Sequence, residues 1–167
     1  RDCSINEARF LFNGLNRKYQ DKVLRDQDTF EFKNWIEQIV YGVENCKVFI
    51  SIIKAGTFRY EYVDKETGNI IREKSFNKDD KEIVALYKRF SEMPIVDLIK
   101  DLTERVNRNE EIDFVRIEIG RAIQRCKEGK IMFVPIQHRE LDYNKLPADV
   151  QFRTNNAVFY NGTEFFN

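Results

Sequence analysis

The residues best suited to chemistry lie in one stretch, DFVRIEIGRAIQRC, at positions 113–126. At 3.6 residues per turn, Val115, Ile119, Ala122 and Cys126 form one apolar stripe with Ile123 beside it, while Arg116, Gly120 and Gln124 lie on the far side. Glu118 falls at the edge of the stripe, and Phe114 lies one turn earlier, about 40° away around the axis. An aromatic ring and a carboxylate therefore share one flank of the first helical turns. A fixed carboxylate is suited to stabilising positive charge that develops in a transition state. The same pattern also suits a core phenylalanine beside a glutamate that merely favours the positive end of the helix dipole. Spacing alone leaves both open.

Other candidates carry less. Cys3, Cys46 and Cys126 are far apart and odd in number, and no two have metal-ligand spacing. His138 is the only histidine, and nothing around it or the cysteines supports a Cys-His nucleophile pair. Asp26 and Asp28 alternate as a metal pair would, but lack a completed ligand set. No metal is expected.

The elements that must position these residues follow from periodicity. Ile5 to Tyr19 has apolar groups at helical spacing, with Ser4 and Glu7 in a capping-box pattern. Lys22 to Arg25 reads as a short strand and Asn34 to Asn45 as a second helix. Lys47 to Ile53 (KVFISII) and Lys130 to Ile136 (KIMFVPI) read as strands buried on both faces. Phe58 to Lys74 reads as a β-hairpin about the turn DKETGN, its Phe58, Tyr60 and Tyr62 face packed inward because no basic stripe accompanies it. Asp79 to Asn107 is predicted helical with a break at Met93-Pro94, and Asp113 to Lys127 helical up to Gly129. A turn at 146–149 and a last strand at Ala157 to Tyr160 complete the pattern. Helices alternating with apolar strands imply a parallel sheet covered on both faces, whose ligands bind outside the carboxyl ends of the strands. The loops after Arg25, Ile53 and Ile136, and the one before Phe114, belong to that rim.

Composition narrows the partners. Twenty-eight basic and 28 acidic residues among 167 give zero formal charge, so no global field holds a polyanion and nucleic acid is not an expected partner. The odd cysteine count suits a reducing compartment. No apolar run approaches the roughly 18 residues of a membrane span, and no signal peptide is visible. The expectation is a cytoplasmic chain, beginning at Arg1 as a piece of something longer.

Three blocks resemble the Toll/interleukin-1 receptor (TIR) domain family, in its bacterial-type branch. Residues 22–53 resemble its strand, acidic turn, helix and strand; residues 113–123 (DFVRIEIGRAI) resemble its "W(V/C)..E(I/L)..A(I/L)" helix; residues 130–160 resemble its "(G)K.iiPv", "LP.dl" and "naV" sequence. The resemblance implies a single TIR domain over 1–167, a flavodoxin-like doubly wound parallel sheet with a β-hairpin plus helix insertion at about 54–110. It implies a first, central strand just before Arg1, since Arg1-Asp2 resembles the tail of "SYRR.D". The loop after Asp28 lacks the family's usual Gly.

Many TIR domains cleave NAD+ between nicotinamide and ribose, using the glutamate of that helix. The matching residue is Glu118, with Phe114 where the family usually has Trp. The resemblance further implies Arg1 and Asp26 at the substrate rim, NAD+ as substrate rather than cofactor, self-association with other TIR domains, and a regulatory domain upstream or downstream. The implied role is a defence or signalling effector. The alternative is a non-catalytic TIR interaction module, and a third reading is N-glycoside transfer on another nucleoside.

Overall fold

The computed structural model describes residues 5–20, 22–23, 34–53, 57–58, 62–63, 70–71, 80–138, 146–150 and 158–160. Helix α1 spans Ile5–Tyr19, α2 Trp35–Asn45, α3 Lys81–Glu92, α4 Ile95–Asn107 and α5 Phe114–Lys127. The strands are β1 Val48–Ile53, β2 Tyr62–Val63, β3 Ile70–Ile71, β4 Met132–His138 and β5 Val158–Tyr160, and a 3-10 turn covers Ala148–Val150. The class is α/β. Strands β1, β4 and β5 form a parallel sheet in that order, with Val48 opposite Met132 and Ile136 opposite Val158. Strands β2 and β3 pair antiparallel where the hairpin is expected, and most of its remaining residues lie outside those described. The strand expected at Lys22 to Arg25 is not seen at Lys22 and Val23; its other two residues lie outside the described set.

Local chemistry sets the helix ends. Asp80 caps α3, accepting from the backbone N–H of Glu82 and of Ile83. Pro94 forces Met93 into extended backbone, with ψ of 142°, and so separates α3 from α4. Helix α4 closes with Asn109 in left-handed backbone, φ 55°, while Glu110 N–H donates to Arg105 O. Helix α5 closes in the same way at Gly129, φ 71°: Gly129 N–H donates to Cys126 O and Lys130 N–H to Arg125 O.

Two apolar cores meet on α5. Ile119, Ala122 and Ile123 face the sheet and pack with Val43, Ile53 and Phe133. On the other side Ile117 packs with Ile36 and Val40 of α2, Tyr87 and Phe90 of α3, and Leu98 and Leu102 of α4. The helices of the 54–110 segment thus form a layer outside α2 and α5. The side of α5 opposite the apolar stripe carries Arg116 and Gly120. Both are buried, because α3 and α4 cover the face that the apolar stripe leaves free.

The reading of the strands is corrected. They are not buried on both faces along their length: Val48 and Met132, opposite one another at the amino ends of β1 and β4, are 47% and 60% exposed.

Gly120 is not required by space. An added Cβ would stand 3.5 Å from Ser91 Cβ, an ordinary contact. Gly120→Ala is therefore expected to stabilise the chain by about 0.5–1 kcal/mol, because mid-helix glycine loses the most backbone freedom on folding. A Tm raised by about 2–4 °C per kcal/mol checks it.

Candidate functional site

Helix α5 enters β4 through residues 128–131, and α2 enters β1 through Cys46 and Lys47. Connections so short fold each helix back along its strand. The amino ends of α2 and α5 therefore lie at the carboxyl edge of the sheet, where open α/β sheets bind ligands.

The flank of α5 that faces α2 is defined by its contacts. At the amino end the Phe114 ring meets Trp35 edge-on, centroids 4.5 Å apart and planes at 64°. Two turns further on, Arg121 and Arg125 both reach Glu44 at the end of α2. Along the axis Glu118 lies between these; around it Glu118 stands to one side of all three, about 40° from Phe114, 60° from Arg121 and 20° from Arg125, toward Ala122. Its side chain is half-buried. Phe114 and Glu118 thus stand together in the first turns of α5, on the flank that borders α2 and toward the carboxyl edge of the sheet. Trp35 joins the outer core, as its place on a helical apolar face implies, and Phe114 packs against that core as well. Arg1, Asp26 and Asp28 lie outside the described residues.

A buried polar network holds the amino end of α5. Asp113 caps it, accepting from Arg116 N–H at 3.3 Å, and the Asp113 N–H donates to the Tyr87 hydroxyl at 2.7 Å. The Arg116 guanidinium is fully buried and lies over the Tyr87 ring, 4.2 Å from its centroid. Its Nε donates to Asp149 Oδ2 at 2.7 Å and its Nη2 to Asp149 Oδ1, a two-pronged pair that ties the 146–150 turn to α5. A second network holds the middle. Arg121 donates to Glu44 Oε1, to Phe90 O at 2.9 Å and to Met93 O at 2.8 Å, joining the ends of α2 and α3 to α5.

Periodicity missed Arg116, Arg121, Glu44, Tyr87 and Asp149 as a structural unit. One signal was present. Glu44 sits in the last turn of its helix, where the dipole disfavours an acid and a nearby cation is needed.

Among the described residues no three His, Cys, Asp or Glu side chains gather as a metal site. Burial pushes the Cys46 thiol up from its ordinary range, and its Sγ donates to Val43 O at 3.3 Å, so it is a poor nucleophile. A shallow depression of about 470 Å³, lined by Ala85, Lys88, Arg89, Glu92, Met93 and Pro94, shares no residue with the α2–α5 seam. No described helix is long and apolar enough to cross a membrane.

Phe114→Ala is expected to destabilise the chain by about 2–3 kcal/mol, at or below the lower end of the range of about 3–5 kcal/mol for truncating a buried Phe, because the ring is only partly buried. Phe114→Trp keeps an aromatic edge for Trp35 and is expected to be tolerated. Denaturant midpoints of the two variants check both.

Comparison with known proteins finds no matching family model, no matching curated protein and no matching solved structure.

Proposed function

We propose that this chain is a TIR-type NAD+ glycohydrolase or cyclase, cleaving the nicotinamide–ribose bond with Glu118 as its catalytic carboxylate. The observation that carries the reading is the position of Glu118. It is half-buried beside Phe114, one turn into a helix that starts at the carboxyl edge of a parallel sheet. The one-way strand order β1-β4-β5, all parallel, also supports it, since half of a doubly wound sheet advances in this manner. The TIR assignment itself rests on the three sequence blocks.

The chemistry needs little more than one carboxylate. In NAD+ the nicotinamide nitrogen is cationic, so it leaves with the electron pair of the C1′–N bond as a neutral molecule and needs no general acid, unlike a glycosidic oxygen. Positive charge builds on the ribose as that bond breaks. Glu118 stabilises it, or holds the ribose hydroxyls and orients the sugar. Water then adds its oxygen to C1′ and releases a proton, yielding ADP-ribose. Attack by an adenine nitrogen of the same molecule yields a cyclic isomer instead.

In this reading Arg1 meets the pyrophosphate and Asp26 lines the rim. The protein is cytoplasmic, acts within a larger effector with a regulatory domain, and fires on self-association. The non-catalytic interaction module is the second reading, favoured by one contact: Phe114 already spends its ring on Trp35. Incubation of the purified full-length protein with NAD+ at high protein concentration, with and without a crowding agent, separates the two. Released nicotinamide supports the enzyme, and none under either condition supports the module.

A further inference from the structure

We propose that Tyr87, contributed by the inserted helix α3, is a positioning residue for the first turn of α5 and through it for Glu118. The inference rests on the NAD+-cleavage reading and adds to it a role for the insertion.

The amino end of α5 is held from three directions. Its own cap, Asp113, accepts from Arg116 N–H. The 146–150 turn holds it through the Arg116–Asp149 pair. The third hold comes from α3, and Tyr87 makes it twice, with its hydroxyl accepting from Asp113 N–H at 2.7 Å and its ring lying 4.2 Å from the Arg116 guanidinium. Tyr87 is itself only 4% exposed, and Phe90 meets it edge-on at 5.7 Å, so the ring has little room to move.

The residue type matters. A phenylalanine would serve the cation and the core equally well, since both need only a ring face. The hydroxyl is the one feature of Tyr87 directed at the α5 cap. That cap sets where the helix begins, and so where residues 114 and 118 stand. A displacement of a fraction of an ångström at a catalytic carboxylate lowers turnover without comparable loss of substrate binding.

The test uses the full-length protein under the condition in which it cleaves NAD+. Tyr87→Phe keeps the ring and deletes the hydroxyl. The expected result is a kcat about tenfold lower, with KM changed less than about twofold, and faster amide hydrogen exchange confined to residues 113–118. Leu102→Ala, a packing change in the outer core on α4, away from the α5 cap, serves as the comparison. It is expected to lower stability while leaving kcat within about twofold.

A Tyr87→Phe variant with unchanged kcat overturns the positioning role. So does a Leu102→Ala variant that loses as much turnover, since general loosening would then be the cause. Failure of the underlying reading looks different: the unsubstituted chain releases no nicotinamide, or Glu118→Gln leaves release intact. Either result removes the catalytic role given to Tyr87 along with that of Glu118.

Discussion

A folded Glu118→Gln variant releases nicotinamide from NAD+ at least about a hundredfold more slowly than the unsubstituted chain; this is the expected result, of the size found when a fixed electrostatic partner of a transition state is removed. The substitution is nearly isosteric. It keeps the side chain's hydrogen-bonding reach and removes only the charge. KM should move little if the carboxylate acts mainly on the charged transition state. The helix should survive, because Asp113, not Glu118, supplies its cap and because glutamine is a good helix former. The measurement is a time course of nicotinamide release at saturating NAD+, with far-UV circular dichroism and a denaturant midpoint to confirm the fold. A well-folded variant retaining most of the activity would remove Glu118 from the mechanism and leave the α2–α5 seam as a packing feature.

Much of the fold was legible because its determinants are local. Asp113 marks a helix start, Met93-Pro94 a break, and Gly129 a stop, and each acts through backbone groups a few residues away; the helix read from Asp79 starts at Lys81, capped by Asp80. The runs at 47–53 and 130–136 announce strands by β-branched and aromatic content, and the strands lie at Val48–Ile53 and Met132–His138; their parallel pairing follows from the helices that must connect them. The covering of α5 was not legible. A helical wheel with one apolar stripe and arginines opposite describes a surface helix equally well as a helix between two layers. Only the arrival of α3 and α4, held by contacts distant in sequence, decides that Arg116 and Arg121 are buried. Their partners, Asp149 and Glu44, lie 33 and 77 residues away.

The candidate site divides along the same line. Phe114 and Glu118 could be paired from spacing because both lie on one helix. That Phe114 rests on Trp35 could not, because the contact joins the starts of two helices that only the shared sheet brings together. The arginines of α5 were harder still. A long side chain can lie along an apolar surface with its head in water or bury that head against an acid, and sequence spacing reads the same in both cases. The segment at about 54–110, which the resemblance implies is an insertion, supplies through its helices about half of the buried outer core, and its Tyr87 hydroxyl accepts from the Asp113 N–H at the start of α5.

The same covering gives the largest expected loss of stability. Asp149→Ala takes the carboxylate away from a guanidinium that is fully buried, in a place where Asp149 itself is 3% exposed. The Tyr87 ring still faces the cation, but a ring quadrupole replaces only part of a formal negative charge. Removing one partner of a buried pair typically costs about 3–5 kcal/mol, because the remaining charge stays desolvated. That is a large share of the roughly 5–15 kcal/mol by which a domain of ordinary stability is held. Urea unfolding should show a much lower midpoint with an unchanged slope, the mark of lost stability in the folded state and not of a changed unfolded ensemble. The paired replacement separates charge from packing. Arg116→Met with Asp149→Leu removes both ions and keeps apolar volume, so it should recover most of the loss and end within about 1–2 kcal/mol of the unsubstituted chain. If the double variant is as unstable as Asp149→Ala alone, the hydrogen-bonded geometry that ties the 146–150 turn to α5 is what the fold requires. If Asp149→Ala costs less than about 1 kcal/mol, the guanidinium has found water, and the layer formed by α3 and α4 opens more readily than its packing implies.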